Sequence, residues 1–389
     1  MIDLIDRFLP HDLPQALLLG RVQLPGTGPC IVMVKKGEVF DITSYVSTTA
    51  ELFNRTDVHS FLSGIKEPLS LGPVTQLIKN SLSPEASSNK LHLLAPVDFQ
   101  SIKACGVTFA TSMIERVVEE RCLGDASKAA EMRQLIEQQS GTDIGSVKPG
   151  SSAAQKVKKS LLEKGLWSQY MEVGLGPDAE VFTKSQAMSA VGFGSEAGLH
   201  PRSDWNNPEP EVVVIVNNRG QILGATLGND VNLRDFEGRS ALLLGKAKDN
   251  NGSCVIGPFI RMFDNTFNLD DIRSAQISVE VTGKDGFHMQ AASDMSQISR
   301  DVTELVEQTY SPSHQYPDGF ALFLGTLFAP VQDRDHQGQG FTHKLGDVVE
   351  ICSPKLGGLH NRINHSDKIP QWSFGILELI KNLKQRQLL

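Results

Sequence analysis

A chain of 389 residues, 40% of them hydrophobic, is long enough to bury a sizeable core and to divide into two domains. A formal net charge of −8 and a pI near 5.7 argue against nucleic acid or an anionic membrane as the main partner, while allowing a locally positive pocket. No apolar run approaches the roughly 18 residues that span a bilayer, the opening MIDLIDRFLP lacks the pattern of a signal peptide, and five scattered cysteines without a CxxC read as reduced thiols of a cytoplasmic protein.

Residues 1–95 read as a small leading α/β domain. GPCIVMVKKGEVFDIT (28–43) predicts two strands around a Lys-Gly turn, helices are expected near 50–65 and 73–83, and the Ser/Pro/Asn-rich SLSPEASSNK (81–90) reads as a linker. Residues 96–389 form the second unit. FQSIKACGVTFA predicts a strand running into a loop. Residues 112–139 and 151–167 show helical spacing without sustained heptads, which describes a helical excursion over a β-rich body. In that body, strands are expected at 209–217, 221–228, 275–283, 320–325 and 347–352, and helices near 296–309 and 371–386. Because strands and helices do not alternate regularly, the fold class is α+β and not a doubly wound parallel sheet.

The stretch Asn207-Pro208-Glu209-Pro210-Glu211-Val212-Val213-Val214 carries the chemistry. In extended backbone, side chains two apart point the same way, so Glu209 and Glu211 project from one face. Two carboxylates that close repel, and a divalent cation relieves both the repulsion and the cost of burial. If 209–217 and 221–228 form a hairpin, Asp230 in Gly228-Asn229-Asp230-Val231 reaches the same ion. All-oxygen ligands suit Mg²⁺, Mn²⁺ or Ca²⁺ better than zinc. On the residues alone, a solvated edge strand with a turn aspartate stands beside this reading. Two lysines follow, Lys246 and Lys248. One desolvated near a metal can serve as a base; otherwise both are surface residues.

The succession EPEVV, NDVNLRD, then a lysine before Cys254-Val255-Ile256-Gly257-Pro258, resembles the fumarylacetoacetate hydrolase superfamily. Gly325-Thr326 after ALFL is similar to its Gly-Thr turn, and Gly346-Asp347-Val348-Val349-Glu350 with Gly357-Gly358-Leu359-His360-Asn361-Arg362 is similar to its closing motif. The resemblance covers about 96–370. It implies a mixed β-roll core with flanking helices, a homodimer or higher homo-oligomer, and Mg²⁺ or another divalent ion held by Glu209, Glu211 and Asp230. It also implies Lys248 as the catalytic lysine, with Lys246 as the fallback. Thr326 and Gly325, on the Gly325-Thr326 turn, Lys184 and Phe109 are implied as substrate-binding.

The hydrolases of that superfamily carry a G-x-N-Y-x-x-H-x-x-E segment. Here Gly106-Val107-Thr108-Phe109-Ala110-Thr111-Ser112-Met113-Ile114-Glu115 stands in its place, with Phe109 for the tyrosine and Ser112 for the histidine. A serine without a neighbouring base does not deprotonate water at neutral pH. The pattern looks like the superfamily's sugar-acid dehydratases, which convert 2-keto-3-deoxypentonates to 2,5-dioxopentanoate. The expected partner is therefore a small 2-keto acid. Lys248, or else Glu115, is expected to take a C3 proton, and Glu115 to act as general acid with Ser112 relaying. The alternatives are a C–C hydrolase of acylpyruvates or 2,4-diketo acids, and a non-catalytic homologue. No GxGxxG or GxSxG indicates nucleotide binding or a serine nucleophile. His336, His343, His360 and His365 lack metal spacing and read as surface or turn residues. Arg116, Arg121 and Arg234 read as substrate contacts or internal salt bridges.

Overall fold

The computed structural model describes residues 5–83, 89–140, 147–328 and 330–389. The middle of the expected linker, 84–88, lies outside the described residues. Among these residues, eleven strands form one mixed sheet. Its central hairpin, Pro210–Val216 with Ile222–Asp230, is flanked on one side by Cys254–Met262 and on the other by Phe320–Phe323, Ser101–Gly106 and Glu180–Ser185. The strands Leu69–Pro73, Glu38–Asp41, Gly28–Lys35 and Leu18–Leu24 extend it, because Leu18–Leu24 pairs antiparallel with Cys254–Met262. Phe320–Phe323 and Ser101–Gly106 are parallel neighbours. A second sheet of five strands, Gln276–Thr282 and Val348–Ser353 among them, packs across one face.

This layering explains VVVIV at 212–216. Val212, Val214 and Val216 enter the core shared with Val279, Val281, Val349 and Ile351 of the second sheet. Val213 and Ile215 face the opposite core, shared with Leu52, Phe53, Val58 and Leu62 of the helices Thr49–Asn54 and Val58–Gly64. A strand covered on both faces shows an apolar run instead of alternation. The strand Cys254–Met262 was not legible as one, because Pro258 interrupts it. The register shifts opposite the Gly257-Pro258 pair, where a proline has no N–H to donate.

The helical excursion is Ala110–Arg121, Ala129–Ser140, Ser152–Glu163 and Gln169–Leu175, the first packing on the short helix Arg234–Arg239. The cysteines Cys30, Cys105, Cys122, Cys254 and Cys352 are free, and no described helix is long and apolar enough to cross a membrane. His343 departs from expectation: it is buried, with Nδ1 3.2 Å from Asp347 Oδ2.

Candidate active site

The central hairpin builds the site. Pro210 pairs with Asn229 and Glu211 with Gly228, so Asp230 falls across from Glu209, and its N–H donates to Glu209 O at 3.0 Å. Glu209, Glu211 and Asp230 share one face at the sheet end, all buried, with an oxygen of each within 4.8 Å of the others. Asn229 Oδ1 accepts from Glu209 N at 3.1 Å and fixes the strand entry. Gly228 is required there, since a Cβ would sit 2.2 Å from the Phe323 ring. The donor set is oxygen only, as Mg²⁺, Mn²⁺ or Ca²⁺ prefers.

Lys248 ends the short helix Leu244–Lys248, and the strand that follows pairs Cys254 with Asp230. Its Nζ reaches Glu209 and lies 3.1 Å from Asp230 Oδ2. Lys246 is exposed. Burial works against charge on Lys248, but Asp230, Glu209 and Glu237 outweigh it and raise its pKa above the ordinary lysine value. Asp230 is likewise disfavoured by burial, yet Lys184 and Lys248 hold its pKa down. Glu211 has no cation in ion-pair contact among the described residues; burial, with Asp230 and Glu209 nearby, pushes its pKa well up. It accepts one hydrogen bond, from Gly325 N at 2.7 Å.

Two adjoining cavities open on this cluster and share Ser112, Arg116, Glu209 and Thr326. Both are narrow, with about 20 Å³ in each for water-sized groups. Arg116, from the helix Ala110–Arg121, reaches Glu209, Glu119 and Glu237 together. Arg234 lies 2.9 Å from Glu115 and 2.7 Å from Glu119, with its guanidinium 4.1 Å above Trp205. Seven carboxylates (Glu115, Glu119, Glu180, Glu209, Glu211, Asp230, Glu237) and five cations (Arg116, Arg133, Lys184, Arg234, Lys248) make up this web.

Four expected roles change. Glu115 is bound by Arg133 at 2.6 Å and Arg234 at 2.9 Å. Burial opposes its charge, but the two guanidinium groups win and lower its pKa, so it holds no proton to donate. Phe109 does not line either cavity; it is wholly buried in the main core and precedes the helix as its cap residue. Lys184 is also fully buried outside the cavity lining, with Nζ 2.8 Å from Asp230 Oδ1, so it braces that carboxylate from behind. The Gly325 amide is engaged by Glu211 and not free for substrate. Ser112 does line both cavities, but its hydroxyl donates to Phe109 O at 2.9 Å. Thr326 lines both as well, and its Oγ1 accepts from Phe328 N at 3.1 Å, leaving its proton free to donate.

Glu180 and Glu237 line the first cavity and were not singled out in the sequence. The signals exist: Glu180, Phe182 and Lys184 fall on one face by period two, and Arg234 and Glu237 are one helical turn apart. Burial raises the pKa of both carboxyls, that of Glu237 to about 7 despite Arg116 and Lys248.

Residues 180–364 match the fumarylacetoacetate (FAA) hydrolase C-terminal family. The chain is 28% identical over 193 residues to the 2-dehydro-3-deoxy-D-arabinonate dehydratase of Saccharolobus solfataricus, covering 49% of this chain and 60% of that protein. It is 29% identical over 201 residues to the probable 2-keto-3-deoxyxylonate dehydratase of Haloferax volcanii, covering 52% and 65%. The similarity thus spans a little under two thirds of these relatives. The fold is also that of a 2-keto-3-deoxy-D-arabinonate dehydratase solved with magnesium and 2,5-dioxopentanoate, at a TM-score of 0.62 and 18% identity over 90% of this chain and 99% of that one.

Proposed function

We propose that this chain, whose residues 180–364 match the fumarylacetoacetate hydrolase C-terminal family, is a divalent-metal-dependent dehydratase. Its substrate would be a 2-keto-3-deoxypentonate and its product 2,5-dioxopentanoate, formed in the cytoplasm by a homodimer. One observation carries the reading: the buried triad of Glu209, Glu211 and Asp230 lies beside Lys248, in a cavity whose lining contains no histidine among the described residues. A C–C hydrolase needs a group to activate water, and Ser112 stands where its histidine would be.

The residues fit a divalent cation on two counts: oxygen-only donors, and a Glu211 carboxylate that no cationic side chain pairs with among the described residues. Glu209, Glu211 and Asp230 would hold the cation, which would supply Lewis acidity to a 2-keto acid. The chain's own groups do the rest. Lys248, beside the triad, is the group placed to take a C3 proton. Thr326 Oγ1 donates to the substrate carboxylate. Arg116 and Lys184 hold Glu209 and Asp230 in place.

The test is an NMR assay of one 2-keto-3-deoxypentonate and one acylpyruvate, with Mg²⁺ and after chelation. The expected result is an aldehyde from the first substrate, only with metal. Cleavage of the acylpyruvate without dehydration would overturn the proposal. Size-exclusion chromatography with light scattering tests the dimer.

A further inference from the structure

We propose that Glu237 is the catalytic acid that protonates the departing C4 hydroxyl, an inference that rests on the dehydratase reading above. Hydroxide is a poor leaving group, so elimination needs a proton at that oxygen. The first cavity offers few donors. Ser112 directs its proton to Phe109 O, arginine does not give one up, and Glu209, Glu211 and Asp230 form the metal triad. Glu115 is locked in two ion pairs.

With Thr326 assigned to the substrate carboxylate, Lys248 to C3, and the Cys105 thiol made a very weak acid by burial, Glu180 and Glu237 remain, and their settings differ. The Glu180 head is pressed against its own sheet: a Cβ on Gly106, its cross-strand partner, would lie 2.0 Å from Glu180 Oε2. Glu237 comes from the helix Arg234–Arg239 and is almost wholly buried. Its Oε2 lies 3.1 Å from Arg116 Nη1, yet makes no hydrogen bond. Glu237 thus sits in the cavity lining beside Arg116 with this oxygen uncommitted to any hydrogen bond among the described residues, so a proton on it is available to a bound substrate. The charged groups facing it are Arg116, Lys248, Glu119 and Glu209; burial and the two carboxylates favour the neutral acid against the two cations. A carboxyl poised near neutrality both holds and gives a proton at working pH.

The step balances. The C3 base takes a proton, the C3–H electron pair forms the C3–C4 double bond, and C4–O breaks as Glu237 delivers its proton, releasing water. The Glu237 carboxylate then takes a C5 proton and the C3 base returns its proton to C3. The resulting C4–C5 enol becomes the aldehyde. C5 is oxidised, the C3–C4 unit is reduced, both residues are reset, and no external oxidant enters.

The experiment compares the wild type with Glu237→Gln, each with Mg²⁺, in two reactions. One is dehydration of the 2-keto-3-deoxypentonate. The other is deuterium exchange from D₂O into C3 of 2-oxobutanoate, which needs the C3 base but no leaving group. Dehydration should fall about 100-fold or more, while exchange stays within about threefold. Dehydration within about threefold of wild type, or loss of both reactions together, overturns the role of Glu237. A wild type that performs neither reaction refutes the dehydratase reading itself. The wild type alone gives a second test that does not depend on a folded variant. Its rate should fall above pH about 7 with the hydroxyl substrate, but not with a 4-fluoro analogue, whose leaving group needs no full proton. Equal pH profiles for the two substrates count against the assignment.

Discussion

Replacing Lys184 by Met removes a cation with no solvent exposure and keeps much of its apolar shape, so the loss is electrostatic. Its Nζ lies 2.8 Å from Asp230 Oδ1 and 3.2 Å from Val231 O. Removing one partner of a buried pair costs about 3–5 kcal/mol, because the other charge stays behind. Asp230 keeps Lys248 at 3.1 Å, which puts the expected loss at the lower end, about 3 kcal/mol or roughly 100-fold in the folding equilibrium. Urea unfolding of chelator-treated protein at pH 7 measures it. Mg²⁺ should recover more stability in the variant than in the wild type, since a cation on Asp230 replaces the missing charge. The pH dependence has a definite sign. The Asp230 pKa is depressed, so its contribution is present above the unfolded value of about 3.9 and is lost as pH falls through the folded value. The gap between wild type and variant should therefore narrow below pH about 4. A gap under about 1 kcal/mol at pH 7, or one that persists unchanged to pH 3, would refute the bracing role of Lys184.

Glu209→Ala and Asp230→Ala should each abolish Mg²⁺ binding in calorimetry and turnover together; either variant retaining full activity sinks the metal site. Glu237 has a raised pKa, so its contribution to stability is fully present below the unfolded value of about 4.5 and is lost as pH rises through about 7. Thermal scans of metal-free protein should show that loss, up to about 3 kcal/mol, and its absence in Glu237→Gln identifies the group. Gly106→Ala should displace the Glu180 carboxyl, whose Oε2 lies where the new Cβ would be, and lower kcat with the sheet intact by circular dichroism. Glu115→Gln should lose about 1–3 kcal/mol in urea unfolding by weakening its pairs with Arg133 and Arg234. Full stability in that variant would show the pairs to be incidental.

The clustering of the three acidic side chains was legible before any coordinates because its determinants are local. Two-residue periodicity aligns Glu209 with Glu211, and a short turn at Asn218-Arg219-Gly220 brings Asp230 back beside them. The strands at 209–217, 221–228, 275–283 and 347–352, and the α+β class, follow from the same short-range patterns. Side-chain roles carried over by motif position were less secure. Phe109 and Glu115 hold the places of functional residues in the hydrolase segment, yet one fills the core and the other neutralises two arginines. Only the tertiary structure decided those outcomes, because a side chain's charge state and direction depend on groups distant in sequence: Arg133 and Arg234 for Glu115, Asp230 for Lys184, Arg116 for Glu237. The pairing of Leu18–Leu24 with Cys254–Met262 belongs to the same class, since contacts across more than 200 residues leave no period in the chain. Backbone geometry repeats every few residues and can be read from spacing, whereas burial and Coulomb forces act through space.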